Sequence, residues 1–211
     1  MVQLDTNKYI YQNHQGLIYI GPFLECLFHG KGTLIMNKDG EKVQYEGEFA
    51  FGMKHGRGEL SMNDFKFVGD FKHEEYEGFG IVKTPKLEYK GFFKKNLFNG
   101  KGRMTFPNGN SYEGEFTDSR INGVGRITTP ANVTFVGFFK DSEFGNFARV
   151  AYPEGHIYEG SVKDLQRNGV GVMTYTDNSR IKGMWLGDRF LGAAVPASLA
   201  ILACFATYVL I

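Results

Sequence analysis

The sequence predicts an all-β protein, an elongated, twisted antiparallel sheet of stacked β-hairpins followed by a hydrophobic C-terminal α-helix. Three observations predict it. A short aromatic–glycine motif recurs about every 23 residues, 28 glycines accompany 20 phenylalanines and 11 tyrosines, and residues 191–211 carry no charged side chain. Glycine and aromatic residues at these levels favour many short strands and tight turns over a disordered chain.

The repeated motif is clearest in segments 45–49 and 112–116, which both read Tyr-Glu-Gly-Glu-Phe. Looser copies begin at Tyr19, Phe67, Tyr89, Phe135, Tyr158 and Ile181. From Tyr45 onward the copies begin 22 or 23 residues apart, whereas the step from Tyr19 to Tyr45 is 26 residues. A Gly-x-Gly follows most copies, with glycines at 30/32, 56/58, 78/80, 100/102, 123/125 and 169/171; near Gly145 the second place holds Phe147. Such a fixed period indicates a repeat architecture.

Each copy is predicted to be a β-hairpin, because side chains alternate between the two faces of a strand. Glycine inside a strand is a weakness unless another group must approach the backbone closely. We therefore expect aromatic rings to lie over bare glycine backbone, with both Gly-x-Gly glycines on that face. One hairpin buries too little to stand alone, so stability must come from stacked neighbours. The predicted repeat core comprises Tyr45, Gly47, Phe49, Gly56, Gly58, Tyr112, Gly114, Phe116, Gly123, Gly125, Tyr158 and Gly160.

This pattern resembles the MORN (membrane occupation and recognition nexus) repeat family, over about Tyr19 to Trp185. The resemblance implies an elongated antiparallel sheet used as a scaffold or adaptor. Some arrays of the family are fused to lipid kinase or methyltransferase domains, for which this chain leaves no room. We predict a lead-in or cap at 1–18, a repeat array of seven or eight units at 19–188, and the hydrophobic helix at 189–211.

The outward-facing positions of the repeats suggest a surface for a protein partner. They are charged or polar in some copies, such as Glu113 and Glu115, and apolar in others, including the middle residues Phe79, Val124 and Val170 of three Gly-x-Gly motifs. A solvent-facing sheet surface should be polar, so apolar residues there indicate a covered patch; the alternative is that scattered apolar surface residues are normal. The candidate partner surface comprises Val68, Phe79, Phe92, Val136, Phe138 and Met184.

No chemistry-bearing constellation emerges from the sequence. The histidines, at 14, 29, 55, 73 and 156, have no ligand spacing with one another or with Cys26, so we predict no metal site. No nucleophile context or phosphate-cradling loop occurs, so we predict no catalytic residue, no cofactor and no small-molecule substrate. The 24 Lys and Arg nearly balance 23 Asp and Glu, which argues against nucleic acid. Two distant cysteines favour a reducing compartment.

The C-terminal segment is predicted to be a membrane anchor. As a helix, residues 191–211 would be about 30 Å long, enough to cross a bilayer, and the basic residues before it would keep the array on the positive-inside face. A capping helix over the last hairpin and burial in a large soluble assembly are the alternatives. The predicted anchor residues are Leu191, Val195, Leu199, Ile201, Leu202, Phe205, Tyr208, Val209, Leu210 and Ile211.

Together these features predict a non-enzymatic, membrane-tethered scaffold for protein–protein interaction, in one version an accessory structural subunit of a large membrane complex. One alternative is a peripheral module that binds phosphoinositides or acidic lipids, with Lys90, Lys94, Lys95, Lys101 and Arg103 as its nearest basic residues. Another is a soluble cytoskeletal or ciliary component. Residues 1–15 resemble no signal peptide, so we expect the array to face the cytosol, or an organelle interior such as the mitochondrial one if a non-cleaved signal imports it, and not to be secreted.

Overall fold

The computed structural model describes residues 2–5, 8–38 and 40–193, with side chains from residue 9 onward except at position 38. Within these residues the protein is all-β and contains no helix, which confirms the predicted fold class for the array. The predicted C-terminal helix lies outside the described residues, except that Arg189–Gly192 form a strand. The described residues fall into two compact units, 2–107 with 115–120 and 108–114 with 121–193.

The first unit is an antiparallel meander in which successive strands pair. The order of neighbours is β1, β2, β3, then β6 to β12, while β4 and β5 form a separate small hairpin. The strands are β1 (Val2–Asp5), β2 (Lys8–Gln12), β3 (Ile18–Gly21), β4 (Phe23–Leu24), β5 (Leu27–Phe28), β6 (Gly30–Lys38), β7 (Glu41–Ala50), β8 (Met53–Met62), β9 (Phe65–Lys72), β10 (Glu75–Lys83), β11 (Glu88–Lys94) and β12 (Leu97–Thr105). The distance from Tyr19 to Tyr45 is longer than the other repeat distances because the β6–β7 hairpin is longer, with strand pairing that extends to Lys38 and Glu41.

The second unit has the same construction. Each strand from β14 to β20 pairs antiparallel with the next. Residues of β13 (Ser111–Thr117) are divided between the two units, and Arg120, the first residue of β14, belongs to the first unit. The strands from there on are β14 (Arg120–Thr128), β15 (Thr134–Lys140), β16 (Glu143–Ala151), β17 (Ile157–Lys163), β18 (Gln166–Thr174), β19 (Arg180–Leu186) and β20 (Arg189–Gly192).

The two glycines of each Gly-x-Gly have different roles, although strand alternation alone had placed them on one face. Gly56 has a φ of 59° and lies where the β7–β8 register shifts, so it supplies the left-handed conformation of a β-bulge. Gly58 instead lies under a ring: a Cβ built on it would be 2.6 Å from Cζ of Tyr45. The ring therefore occupies the space that any side chain at position 58 would need.

These ring-covered glycines form a row that crosses each unit at right angles to the strands. In the first unit, Gly32, Gly47, Gly58, Gly69, Gly80, Gly91 and Gly102 are paired in succession. In the second unit the row runs through Gly125, Gly137, Ala148, Gly160, Gly171 and Gly183. The degenerate repeat is thus in a different register from the one predicted, because Ala148, and not Phe147, takes the place of the second glycine.

The core is a column of aromatic rings on the face that carries the glycine row, here called the ring face. Tyr89 is fully buried and stacks on Phe98 with ring centroids 3.9 Å apart, while Phe93 meets it edge-on at 5.2 Å. The hydroxyl of Tyr89 donates a hydrogen bond to the carbonyl oxygen of Phe92 at 2.9 Å. Tyr45 and Tyr158 make the same bond three residues ahead. Each of these tyrosines therefore packs its ring in the core and also has its hydroxyl satisfied by a hydrogen bond.

Tight turns connect the two strands of each repeat and also tie it to the preceding repeat. Both central residues of these turns have positive φ, as in Lys95 (50°) and Asn96 (66°), which is the conformation of type I′ hairpins. The amide of Asn96 donates to the carbonyl oxygen of Tyr76, and the Tyr76 amide donates to Oδ1 of Asn96 at 2.8 Å. The same two-way bond joins Arg167 to Asp188. An Asp, Asn or Ser at the second central position of the turn therefore stabilises the turn and also bonds it to the preceding repeat.

Candidate functional site

The face opposite the rings, here called the open face, carries an apolar stripe in the second unit. The stripe comprises Val124, Phe138, Phe147, Val170 and Met184. Val124 lies directly opposite Phe138, and Val170 directly opposite Met184. Val124 is 57% exposed, Phe138 54% and Met184 41%, which is unusual for large apolar side chains at the centre of a sheet face.

The open face of the first unit is mixed in character. Phe79 lies opposite Phe92, with ring centroids 5.6 Å apart, and Phe92 is half exposed. Two residues along the strands, beyond the glycine row, a row of directly paired residues crosses β7 to β12, here called the charge row. It comprises Glu46, Glu59, Val68, Ile81, Lys90 and Arg103.

A hollow of about 710 Å³ lies on this open face, with glycines 32, 47, 58 and 69 along it. Glu46 and Glu59 border it together with Val68 and Ile81. The hollow thus has a charged part, in which Lys31 and Arg57 accompany the carboxylates, and an apolar part, and it opens to solvent. Such an arrangement suits side chains or a segment of another protein better than an enclosed small molecule.

The structure places all six predicted partner-surface residues on the open face, but in two different units. Val68, Phe79 and Phe92 belong to the first unit. In the second unit, Phe138 and Met184 belong to the apolar stripe, whereas Val136 is half-buried and lies between Arg126 and Arg149. The structure adds Val124, Phe147 and Val170 to the stripe; Val124 and Val170 were recognisable as apolar x positions of Gly-x-Gly.

Of the predicted anchor residues only Leu191 lies within the described part of the chain. It belongs to β20 and is 56% exposed. The other anchor positions, from Val195 to Ile211, lie outside the described residues. Among the residues that the structure describes, no helix is long and apolar enough to cross a membrane.

The basic residues considered for lipid binding are not gathered into one patch. Lys90 and Arg103 face each other in the charge row, whereas Lys94 pairs with Leu97 at the end of its hairpin. Lys95 is the first central residue of the tight turn between β11 and β12. Within the described ranges, no three His, Cys, Asp or Glu side chains lie close enough to hold a metal ion.

The titration of the buried tyrosines follows from the ring core. Burial raises the pKa of Tyr19, Tyr76 and Tyr89 to about 12. Burial raises the pKa of Tyr45 further, and the negative charges of Glu74 and Glu48 add to that shift. These phenols therefore serve as neutral core side chains, each holding its proton well above the ordinary range.

Both units are stacks of β-hairpins whose rings cover the glycines of neighbouring strands, which defines a β-hairpin repeat protein. The family model described as "MORN repeat" matches the chain at residues 45–64, 89–111, 112–132 and 158–180. The chain thus contains MORN repeats at four positions, as the sequence predicted. The four matched copies all begin with tyrosine, and copies that begin with Phe67, Phe135 or Ile181 are not matched. MORN repeats suggest a protein-interaction or scaffold module.

Comparison with solved structures finds the TCP domain of SAS-4 (dCPAP) from Drosophila melanogaster, in complex with a proline-rich motif of Ana2 (dSTIL). It is 14% identical, with a TM-score of 0.46, over 84% of this chain and 90% of that chain. Comparison with curated proteins finds no significant match.

Proposed function

We propose that the protein is a non-enzymatic scaffold that binds a protein partner through the apolar stripe of its second unit. The observation that carries the proposal is the cross-strand pair of Val124 and Phe138, both more than half exposed. A solvated sheet face normally alternates with polar residues outward. Five of the six strands from β14 to β19 place an apolar side chain in this stripe, and β17 interrupts it with Ser161, which lies opposite Phe147. The stripe therefore has the extent of a binding patch.

The ring face cannot serve this purpose, because the aromatic core fills it. Tyr158 is fully buried there and Trp185 is 4% exposed. The open face is free of such packing and is presented on a hydrogen-bonded sheet, whose rigidity limits the entropy lost on binding. An exposed aromatic residue at the centre of a patch is also a typical hot spot of interfaces.

Phe138→Asp is expected to leave the fold intact and to weaken partner capture by about 2 kcal/mol, or about 30-fold in affinity. The side chain is exposed, so the fold loses little, whereas a complex would bury an unpaired carboxylate. The measurement is cross-linking of the full chain in cells with quantification of its co-purified partners, alongside its melting temperature. Phe106→Asp is the matched control, because Phe106 is exposed at the end of the β12 hairpin and outside the stripe. Equal capture by both variants would exclude the stripe as the binding surface.

A membrane tether is a second proposal, supported by the absence of any charged residue from 191 to 211. The measurement is carbonate extraction of membranes from cells that express the full chain or a version ending at Ala193, which keeps β20 complete. We expect only the full chain to stay in the pellet, because a hydrophobic segment of this length can cross the hydrocarbon core. Release of both forms would contradict the tether and favour a soluble or cytoskeletal assembly.

A further inference from the structure

The charge row of the first unit runs from acidic residues at one end to basic residues at the other. Two such rows that face each other in opposite directions therefore complement each other in charge. Read across six neighbouring strands, it is acidic in β7 and β8, apolar in β9 and β10, and basic in β11 and β12. The two ends are pairs of like charge placed directly opposite each other, Glu46 with Glu59 and Lys90 with Arg103. Such pairs destabilise a sheet in isolation.

These like charges are only partly neutralised within the described residues. Glu59 forms an ion pair with Lys66 at 2.7 Å, and both side chains are nearly half exposed. No ion pair with a described residue involves Glu46, Lys90 or Arg103, and all three are exposed. Each end of the row therefore presents charge that a ligand of opposite sign would neutralise.

We propose that two copies of the chain associate through the open face of the first unit, about a two-fold axis parallel to the strands between β9 and β10. Rotation about this axis leaves each residue at the same height along the strands and reverses the order of the strands, so that β7 faces β12 of the second copy. It places Glu46 against Arg103 of the partner subunit and Glu59 against Lys90 of the partner subunit. Val68 then lies against Ile81 of the partner subunit, at the centre. Every contact occurs twice, as an isologous interface requires.

Two further features of the open face bear on this arrangement. The level on the other side of the glycine row has Glu48 at its β7 end and Lys101 at its β12 end, which the same axis brings together. Between them, the axis places the ion pair of Arg57 and Asp70 against the aromatic pair of Phe92 and Phe79 of the partner subunit. In addition, three carboxylates, of Glu46, Glu48 and Glu59, border the hollow, against two basic residues, Lys31 and Arg57. Long basic side chains from a second copy can extend into it, where a flat acidic face would allow only end-on contact.

The size of the surface indicates a weak, salt-sensitive dimer. Five strand intervals of about 4.8 Å give a width of about 24 Å. With five residues along each strand the patch covers on the order of 400 Å² on each subunit, about half of a standard interface. Electrostatic attraction would supply much of the affinity, and its range falls from about 10 Å at 0.1 M salt to about 3 Å at 1 M.

The test is sedimentation of the full chain in a nonionic detergent that keeps residues 194–211 from associating. The experiment compares the wild-type chain with two double variants. Glu46→Lys with Glu59→Lys makes every charge of the row basic, and Lys90→Glu with Arg103→Glu makes every charge acidic. We expect the wild-type chain to dimerise at 50 mM salt and to dissociate at 1 M. Each double variant alone is expected to dimerise at least tenfold more weakly, and an equimolar mixture of the two is expected to form a heterodimer.

The control carries the same change in net charge at the equivalent position of two other repeats, Glu113→Lys with Glu159→Lys, and is expected to dimerise like wild type. Unchanged melting temperatures would show that all variants fold. A wild-type chain that stays monomeric at low salt, or a dimer that persists in every variant, would overturn the proposal. The result is separable from partner capture by the apolar stripe, because Phe138→Asp leaves the charge row unaltered.

Discussion

Gly114→Val is expected to lower the free energy of unfolding by about 3–5 kcal/mol. A Cβ at this position would lie 2.6 Å from Cζ of Tyr112, which is buried, and 3.0 Å from the Cα of Gly125. Neither neighbour can yield cheaply, since one is a ring in the core and the other is backbone. The ring must therefore leave its site, and its packing is lost with it. For a chain of this length the melting temperature should fall on the order of 10 °C.

Gly40→Ala serves as the control for this variant. Gly40 has a φ of 83° in the β6–β7 turn, and a Cβ there would meet no atom within 4 Å. Its cost should be limited to about 1–2 kcal/mol of left-handed backbone strain. Thermal and denaturant unfolding would measure the loss of stability in each variant. The comparison separates the cost of the clash with the Tyr112 ring from the cost of left-handed backbone strain. If Gly114→Val were no more harmful than Gly40→Ala, the packing of rings on the glycine row would not be what stabilises the fold.

Alkaline unfolding between about pH 10 and pH 12 is the second large effect that we expect. Burial raises the pKa of Tyr19, Tyr76 and Tyr89 to about 12, whereas a tyrosine of the unfolded chain ionises near 10. The folded state thus holds these protons more tightly. Its stability is complete below pH 10 and is lost as the pH rises towards the folded-state values. Each group removes at most about 2–3 kcal/mol, and solvent screening lowers this figure. Together the three remove a large part of a typical total stability of about 5–15 kcal/mol.

The measurement is a pH titration that follows tyrosinate absorbance and β-sheet circular dichroism together. We expect the two signals to change in one cooperative step. The variant Tyr45→Phe with Tyr89→Phe and Tyr158→Phe should move that step to higher pH, since Phe67 and Phe135 already occupy the same repeat position. Its stability at neutral pH should fall by about 1 kcal/mol for each lost hydrogen bond. Ionisation of all tyrosines near pH 10 with the sheet intact would contradict the expectation.

The repeat, the hairpins and the rings over glycine were all predictable from the sequence, because each depends on local alternation and a fixed period. Tyr112 and Gly114 must share a face in any extended strand. The degenerate repeat was predicted one residue out of register. The bulge determines which residue opposes Gly137, and a bulge changes that partner by one position. The structure therefore placed Ala148 in the glycine row and Phe147 on the open face.

The open face needed the tertiary structure, because its properties depend on which strands become neighbours and in which register. Val124 and Phe138 are 14 positions apart in the sequence, and the sequence pattern identified each as outward-facing but not as a pair. The charge row spans six strands, and its acidic, apolar and basic parts align only after every bulge and turn has set the pairing. Residues 194–211 lie outside the described part, so the membrane tether stays a prediction.

By itself, then, the sequence determined the fold class, the repeat family and the inward-facing core, since a two-residue alternation within a repeat of about 23 residues encodes them locally. Only the tertiary structure decided which outward residues form a surface, and it separated the bulge glycine from the ring-covered one. The physical reason is that a side chain's face is a property of its own strand. Its neighbours on that face are a property of the register between strands, which turns and bulges set.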